Sequence, residues 1–377
     1  MTIAAVHVHR LTAPLHTPFV TALAHLTHAS TVVVEIVDRD GRSGFGEAPE
    51  VWTVTGSSLA SSEACVTEAF APLLIGRDAD DLVENCRRVS RAVVGNEPAK
   101  AAVDVALHDL AAVRLGVPLV RLLGGSRLFV PTDVSLAAGT VDSLVTAAKS
   151  RAAEGFDVLK VKVGTDAATD VDRVTAVRRA VGPEVRIRLD ANQGWTPREA
   201  VRVIRSLEDA GMGVEFVEQP VNYRDVDGLA WVSDRVETPI MADESVFDVR
   251  DLVEVIRRRA ADLINVKLAK SGGLSSARTL LELARAQGIG TILGCMLETE
   301  IGTGAAASLV AAYGTTMVSD LDAVWWLRRP AVIGGMRYQG AAIVLADAPG
   351  LGISGLVAAE ARKAIEARAS GDDQGRL

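Results

Sequence analysis

Two patterns of hydrophobic and polar positions divide this chain of 377 residues. In the first part, β-branched stretches precede helical ones, and residues 31–38 are the clearest predicted strand of a small antiparallel sheet. Helical periodicity then covers three segments, at about residues 61–74, 79–93 and 97–115. The last of these is predicted to stop at Gly116. Strands followed by helices predict an α+β domain over residues 1–125, with a boundary at Gly124-Gly125.

From about residue 128 the pattern changes to short apolar strands that alternate with helices, as in a parallel α/β sheet. The predicted strands end near Ser135, Lys162, Asp190, Glu218, Asp243, Lys267, Cys295 and Asp320. Eight strands at a spacing of about 22 to 31 residues predict a (β/α)8-type (modified TIM) barrel over residues 126–340. A doubly wound open sheet is the alternative, but no Gly-x-Gly-x-x-Gly follows any strand.

The remaining segment, residues 341–377, is predicted to return to the first domain, so that both ends of the chain form one capping domain. We expect a final helix in this segment, and we expect residues 370–377 to fray.

Composition narrows the class of protein. Hydrophobic residues make up 49% of the chain, which is enough for a large core, and the formal net charge of -8 argues against a nucleic-acid partner. The three cysteines are too scattered for a disulfide framework or a zinc knuckle. The start lacks the pattern of a signal peptide, and no apolar run reaches the roughly 18 residues of a membrane span. We therefore expect a soluble cytoplasmic protein without a membrane partner.

Acidic residues close three successive barrel strands. Asp190, Glu218 and Asp243 end the third, fourth and fifth strands, and a barrel places its active site at these carboxyl ends. Any one of them alone is more simply a helix cap or a solvated loop residue. Three carboxylates in matching positions would repel one another unless a cation lay between them. Oxygen ligands without His or Cys favour Mg²⁺.

Lysines close the strands on either side of these acids. Lys160 and Lys162 share one face of the second strand, and burial of such a pair would lower the pKa of at least one of them. Lys267 ends the sixth strand, so Lys162 and Lys267 would face each other across the cavity. Opposed lysines beside a metal suit proton removal from one face of a carbon and return on the other, through an enediolate. An exposed strand, or a structural partner for the acids, is the simpler interpretation of either lysine motif alone.

The last two strands add further candidates. Asp320 and Asp322 at the eighth strand form a carboxylate pair that suits a substrate ammonium group, although helix-capping aspartates would look the same. We expect them to lie too far around the barrel to bind the metal. Met296 is expected to line the cavity, and Glu298 to join the polar network that holds a lysine or the substrate.

These residues resemble the enolase superfamily, in its muconate-lactonizing-enzyme subgroup, over nearly the whole chain. The shared motifs are Lys160-Val-Lys162, Asp190-Ala-Asn192, Glu218-Gln-Pro220, Asp243-Glu-Ser245 and Lys267 to Gly273. The resemblance implies that Lys162 and Lys267 are the acid/base pair and that the three strand-end acids bind Mg²⁺; the lysine base and the metal-stabilised intermediate are known features of that superfamily. It also implies that Lys160 assists at the substrate site by lowering the pKa of Lys162, and that Ser135 lines that site.

Within the subgroup, Asp320-Leu-Asp322 resembles the Asp-x-Asp motif with which dipeptide epimerases bind the free α-ammonium of an L,L-dipeptide. Family members that act on L-Ala-D/L-Glu carry a loop arginine, and Ala24 stands where that arginine would align. The apolar Phe19 and Leu23 in the same loop favour a hydrophobic C-terminal residue instead, with His25 available for a polar role. Relatives are commonly symmetric assemblies, so a homo-oligomer is also expected.

The sequence therefore predicts a Mg²⁺-dependent dipeptide epimerase, an isomerase that inverts the α-carbon of the C-terminal residue by 1,1-proton transfer between Lys162 and Lys267. The alternative is an N-acyl (N-succinyl) amino acid racemase or an o-succinylbenzoate synthase, whose substrates lack a free ammonium. A muconate cycloisomerase ranks lower, because it gives the Asp pair no cation to bind. A non-catalytic binding barrel is disfavoured, because it would not need both proton-carrying lysines and all three strand-end acids.

Overall fold

The computed structural model describes residues 2–357 and, as backbone alone, residues 360–366. The first part contains three antiparallel strands, β1 (Ile3–Val20), β2 (His25–Asp38) and β3 (Ser43–Pro49). The helices that follow are α1 (Leu59–Ala64), a π-helical turn (Cys65–Phe70), α2 (Ala71–Leu74), α3 (Leu82–Ala92), α4 (Glu97–Leu115) and α5 (Leu119–Leu122). The predicted order of strands and then helices is observed.

The alanine-rich helix α4 lies between this sheet and the barrel, and most of its residues are buried. Its small side chains let backbones approach closely: a side chain on Gly46 of β3 would collide with the backbone of Ala102. Leu107 and Leu110 of α4 pack into the core of the first domain, whereas Val105 and Ala112 belong to the barrel core. The apolar residues of α4 are thereby buried on two sides of the helix, one against each core.

Strand β4 (Phe129–Pro131) precedes the barrel strands in the chain. The barrel contains a seven-stranded parallel sheet in the order β11-β10-β9-β8-β7-β6-β5. Its strands are β5 (Val134–Leu136), β6 (Val158–Lys162), β7 (Arg186–Asp190), β8 (Val214–Glu218), β9 (Ile240–Ala242), β10 (Leu263–Lys267) and β11 (Gly290–Gly294). The surrounding helices are α6 (Val141–Ala153), α7 (Ala167–Val181), α8 (Pro197–Asp209), α9 (Val226–Ser233), α10 (Val249–Arg258), α11 (Leu268–Ser271), α12 (Leu274–Ala286) and α13 (Glu300–Tyr313).

The eighth strand position is reduced to two residues. Ser319 forms a parallel bridge with Thr132, and Asp320 forms one with Gly294, so they connect the two edges of the seven-stranded sheet. The Ser319 hydroxyl accepts the Leu293 backbone N–H at 3.2 Å, which replaces a ladder bond with a side-chain bond. The predicted barrel class is confirmed, with its last strand shorter than expected.

After a 3₁₀ turn (Ala323–Trp326), the C-terminal part forms β12 (Val332–Gly334), β13 (Arg337–Tyr338), β14 (Ala342–Val344), β15 (Ile353–Leu356) and β16 (Glu360–Glu366). The expected final helix is wrong over residues 360–366, because that segment pairs antiparallel with β1, with Ala5 opposite Glu366. This pairing brings the C-terminal part onto the first sheet. The expected fraying of residues 370–377 lies outside the described residues, and the domain limits at residues 125 and 340 remain a prediction.

Within the described residues, no helix is both long enough and apolar enough to cross a membrane.

Candidate active site

A cavity of about 360 Å³ opens at the carboxyl ends of the barrel strands. Its floor consists of polar side chains from the strand ends, Ser135, Lys162, Asn192, Glu244, Lys267, Asp320 and Asp322. Its roof comes from the hairpin between β1 and β2 and from the loop after β3, which contribute Phe19, Leu23, Ala24, His25, Leu26, His28, Trp52 and Val54 among others. A polar floor beneath a largely apolar roof is typical of a small-molecule site.

The three strand-end acids lie together beneath this floor. Asp190, Glu218 and Asp243 are at most 1% exposed, and Asp190 and Glu218 are direct neighbours across the β7–β8 ladder. Asn265 donates to Glu218 Oε1 at 2.8 Å, which leaves Glu218 Oε2 facing the Lys160 ammonium at 2.7 Å. The acids present only carboxylate oxygens, the donor set of a hard divalent cation.

Their protonation depends on the lysines around them. Burial would raise the pKa of Asp243, but Lys267 and Lys270 outweigh burial and hold that pKa far below its usual value. Burial and the charge of Asp190 raise the pKa of Glu218 to about 8. Glu218 is therefore the acid that most needs further positive charge to ionise, which a divalent cation among these oxygens would supply.

Two lysines reach the cavity from either side of the acids. The Lys162 ammonium lies 2.6 Å from Asp190 Oδ2, and the Lys267 ammonium lies 2.7 Å from Asp243 Oδ2. Burial alone would lower the pKa of Lys267, but Asp243 and Glu218 outweigh burial and raise it. The strands that carry the two lysines, β6 and β10, are separated by β7, β8 and β9. A substrate in the cavity would thus have one lysine side chain on each side.

Lys160 does not lie where the sequence suggested. Its side chain is fully buried, does not line the cavity, and forms ion pairs with Asp320 and Glu218 at 2.7 Å and with Asp190 at 3.2 Å. Burial alone would lower its pKa, but these carboxylates raise it well above its usual value. Lys160 is therefore a buried counter-ion, one layer below Lys162, and it does not lie at the substrate site, where the sequence analysis expected it to assist.

The aspartate pair lines the cavity, as expected for an ammonium site. Asp322 Oδ2 accepts hydrogen bonds from the Ser135 backbone N–H at 2.7 Å and from Trp326 Nε1 at 3.0 Å. Asp320 Oδ2 accepts from Lys160 at 2.7 Å, and its Oδ1 is buried without a hydrogen-bond partner among the described residues. Lys160 links Asp320 to Glu218 and Asp190, two of the three strand-end acids.

Met296 and Glu298 take different places. Met296 lines the cavity, whereas Glu298 is 2% exposed and lies behind it, accepting the Met296 backbone N–H at 3.2 Å. Burial and the nearby Glu47 raise the pKa of Glu298 to about 8. Glu298 thus supports the cavity wall, and it does not reach the substrate space.

The hairpin over the cavity is held by aromatic contacts. Phe19 packs edge-on against Trp326 with ring centroids 4.8 Å apart, and its own ring lies 5.7 Å from the Lys162 ammonium. Trp326 also stacks on His16. The tryptophan that holds Asp322 therefore also anchors the roof.

Several cavity residues were not singled out as site residues from the sequence, and Asn192, Glu244, His28 and Trp52 are examples. Glu244 directly follows Asp243 and Asn192 lies two residues after Asp190, and this proximity to strand-end acids was the available signal. Burial and Asp243 raise the pKa of Glu244 to about 7. His28 and Trp52 come from the first domain, where no local pattern shows that the hairpin and the loop after β3 cover the barrel.

Comparison with known proteins agrees with this geometry. The model for the enolase C-terminal domain-like family matches residues 143–356, and the model for the mandelate racemase / muconate lactonizing enzyme N-terminal domain matches residues 3–124. The L-Ala-D/L-Glu epimerase of Bacillus subtilis is 42% identical over 356 residues, which cover 94% of this chain and 97% of that protein. The hydrophobic dipeptide epimerase of Enterococcus faecalis is 39% identical over 357 residues, 94% of this chain and 100% of that protein.

A solved structure shows the same architecture. The dipeptide epimerase from Enterococcus faecalis, complexed with Mg and the dipeptide L-Leu-L-Tyr, superposes with a TM-score of 0.90 at 38% identity. The match covers 94% of this chain and 100% of that one.

Proposed function

This chain belongs to the mandelate racemase / muconate lactonizing enzyme family, and from that premise we propose that it is a Mg²⁺-dependent dipeptide epimerase. The observation that carries the assignment is the Asp320–Asp322 pair in the same cavity as Lys162 and Lys267. Asp322 receives hydrogen bonds from two neutral donors, so its negative charge stays available to a cationic group of the substrate. The free α-ammonium of a dipeptide is such a group.

The two lysines would move the proton. One of them, as the neutral amine, takes the α-proton of the C-terminal residue from one face, and the electron pair passes into the adjacent carboxylate to give an enediolate. The other, as the ammonium, returns a proton to the opposite face, which inverts the carbon and exchanges the protonation states of the lysines. Asp243 beside Lys267 and Asp190 beside Lys162 hold each ammonium toward the cavity.

Asp190, Glu218 and Asp243 would hold the Mg²⁺, which supplies positive charge for the substrate carboxylate when bound. This donor set fits that ion, because it is buried and consists of oxygen atoms alone. Lys160 would keep Glu218 and Asp320 at fixed positions through its ion pairs, so that the metal site and the ammonium site keep a constant separation.

The roof of the cavity supports a hydrophobic C-terminal residue. Phe19, Leu23 and Leu26 line it, and Ala24 offers no charge to a glutamate side chain. Within residues 2–357, no lysine or arginine lines this cavity other than the two candidate proton carriers. An acidic side chain would therefore enter a largely apolar space without a cation to bind.

A direct test compares one L,L-dipeptide with its N-acetylated form in wild-type enzyme and in Asp322→Asn. A dipeptide epimerase should prefer the free amine by roughly tenfold or more in kcat/KM, and Asp322→Asn should remove most of that preference. Equal or faster turnover of the acetylated form, with full activity in Asp322→Asn, would favour the N-acyl amino acid racemase instead.

A further inference from the structure

Two barrel helices each lack one of the capping side chains that a helix start normally uses. The first N–H groups of a helix lack intrahelical partners, and Ser, Thr, Asp or Asn at the N-cap, with Glu at the third helical position, commonly bind them. In α12 the N-cap is Gly273, which has no side chain. In α13 the N-cap is Thr299, but the third position is Gly302. Both missing groups are replaced by acids from the first domain.

Asp104 of α4 caps α12. Its Oδ1 accepts the backbone N–H groups of Leu274 at 2.7 Å and Ser275 at 3.3 Å, and its Oδ2 accepts the Ser275 hydroxyl at 2.6 Å. A Cβ atom on Gly273 would lie 2.5 Å from the Cβ of Asp104. The glycine therefore leaves the space through which α4 approaches, and Asp104 acts as the N-cap in its place.

Glu47 of β3 completes a capping box in α13. Its Oε1 accepts the Thr299 N–H at 2.8 Å and the Gly302 N–H at 2.6 Å, while the Thr299 hydroxyl accepts the Ile301 N–H. A Cβ atom on Gly302 would lie 2.8 Å from Glu47 Oε1. Glu47 thus occupies the place of the glutamate that an ordinary capping box carries at Gly302.

Both capped helix starts adjoin the proposed catalytic machinery. Helix α12 follows the short helix α11, which begins directly after Lys267 and contains Lys270. The Lys270 ammonium lies 2.6 Å from Asp243 Oδ1. Helix α13 follows the segment that places Met296 in the cavity wall. Movement at the start of α12 would therefore shift Lys267 or the contact with Asp243. Movement at the start of α13 would shift the cavity wall at Met296.

On the basis of the function proposed above, we propose that Asp104 and Glu47 are positioning residues for the reaction. Because these two acids of the first domain cap α12 and α13, the first domain fixes the segment Lys267–Gly273, which contains α11, and the cavity wall at Met296. The same domain forms the roof of the cavity, so seating of the roof and alignment of the catalytic side chains depend on one another.

The surroundings of Asp104 also fit capping better than metal binding. Cys86, Asp104 and His108 offer ligand atoms within 4.8 Å of one another. However, both Asp104 oxygens already accept hydrogen bonds from α12, and His108 Nδ1 lies 2.7 Å from the Asp104 carbonyl oxygen, where only an N–H can bind. These contacts satisfy the helix start without a metal.

Asp109 provides a matched control on the same helix α4. It is 2% exposed and accepts the backbone N–H groups of Phe45 at 2.7 Å and Leu351 at 2.6 Å, neither of which lines the cavity. Asp109→Ala therefore removes a buried acid with two backbone partners, as Asp104→Ala and Glu47→Ala do, but at a distance from the catalytic loops.

The test measures amide hydrogen exchange by mass spectrometry in the full-length protein, together with kcat and KM for α-proton exchange. We expect roughly tenfold faster amide exchange at residues 268–275 in Asp104→Ala and at residues 296–303 in Glu47→Ala, and no local change there in Asp109→Ala. We expect kcat to fall by roughly tenfold in the first two variants with a smaller change in KM, and Asp104→Asn and Glu47→Gln to recover most of the loss.

Equal amide exchange at both segments in the three alanine variants, or a kcat in Asp104→Ala and Glu47→Ala that matches Asp109→Ala, would overturn the positioning role. The proposed function fails separately, if wild-type enzyme exchanges the α-proton of no dipeptide. In that case the amide exchange at the two helix starts still decides whether the caps act locally.

Discussion

Replacing Lys160 with methionine separates the buried charge network from the proton carriers above it. The Lys160 ammonium is the shared partner of three carboxylates, Asp320 and Glu218 at 2.7 Å and Asp190 at 3.2 Å, and the side chain is fully buried. Methionine has a similar length and fills the same space, so the substitution removes the charge and little packing. The three acids would then lie together without their common cation.

Removal of one partner from a buried ion pair costs about 3–5 kcal/mol, because it leaves an uncompensated buried charge. We expect Lys160→Met to lose about that much free energy of unfolding when Mg²⁺ is absent. Added Mg²⁺ should stabilise the variant more than it stabilises the wild type, since the ion would neutralise Asp190 and Glu218 in place of the lysine. Asp320 would still lack its partner, so recovery should be incomplete.

The assay is urea-induced unfolding followed by tryptophan fluorescence, with EDTA and with Mg²⁺. Lys162→Met is the matched control, because among the described residues its ammonium has one ion pair, at 2.6 Å with Asp190, and its side chain is 8% exposed. The control should lose less stability and more activity. Equal unfolding midpoints for Lys160→Met and wild type in EDTA, or a larger loss in Lys162→Met, would refute the assignment of Lys160 as the central counter-ion.

Three further predictions concern the chemistry, the pH dependence and the specificity. Lys162→Met and Lys267→Met should each stop interconversion of diastereomers but still exchange the α-proton of one of them, which NMR in deuterated water resolves; complete loss of exchange in both would contradict a two-lysine transfer. Burial raises the pKa of Asp109 to about 7, above the roughly 3.9 of an unfolded carboxyl, so its stabilising contribution falls as the pH rises from roughly 4 to about 7 and is lost above that. Urea unfolding should therefore show Asp109→Asn gaining stability relative to wild type between pH 5 and pH 8, and an unchanged difference would contradict the raised pKa. Ala24→Arg places a cation in the cavity roof and should raise kcat/KM for L-Ala-L-Glu relative to a hydrophobic dipeptide by roughly tenfold, whereas no change would show that residue 24 does not contact that side chain.

The order and ends of the barrel strands were predictable because each strand is a short apolar run closed by a polar residue. Lys162, Asp190, Glu218 and Lys267 are the last residues of their strands, as predicted. The final helix was wrong for a physical reason. Residues 360–366 consist largely of good helix formers, yet the free edge of β1 offers backbone partners that outweigh this local preference.

The residue types that form the site were predictable from the sequence, but the depth at which each side chain is buried was less so. The period of the strand places Lys160 and Lys162 on one face, but it does not show that Lys160 lies one layer deeper, among Glu218 and Asp320. The contacts of Glu47 and Asp104 with the barrel helices join residues more than 160 positions apart. Their sequence signal is indirect: Gly273 and Gly302 stand where capping side chains would be expected. The homo-oligomeric state remains a prediction.

Mass spectrometry of L,L-dipeptides incubated with the enzyme and Mg²⁺ in deuterated water tests the proposed epimerase most directly. We predict the gain of one deuteron at the α-carbon of the C-terminal residue, together with the L,D product, for dipeptides that end in a hydrophobic residue. Exchange in N-succinyl amino acids and in no dipeptide would contradict the assignment.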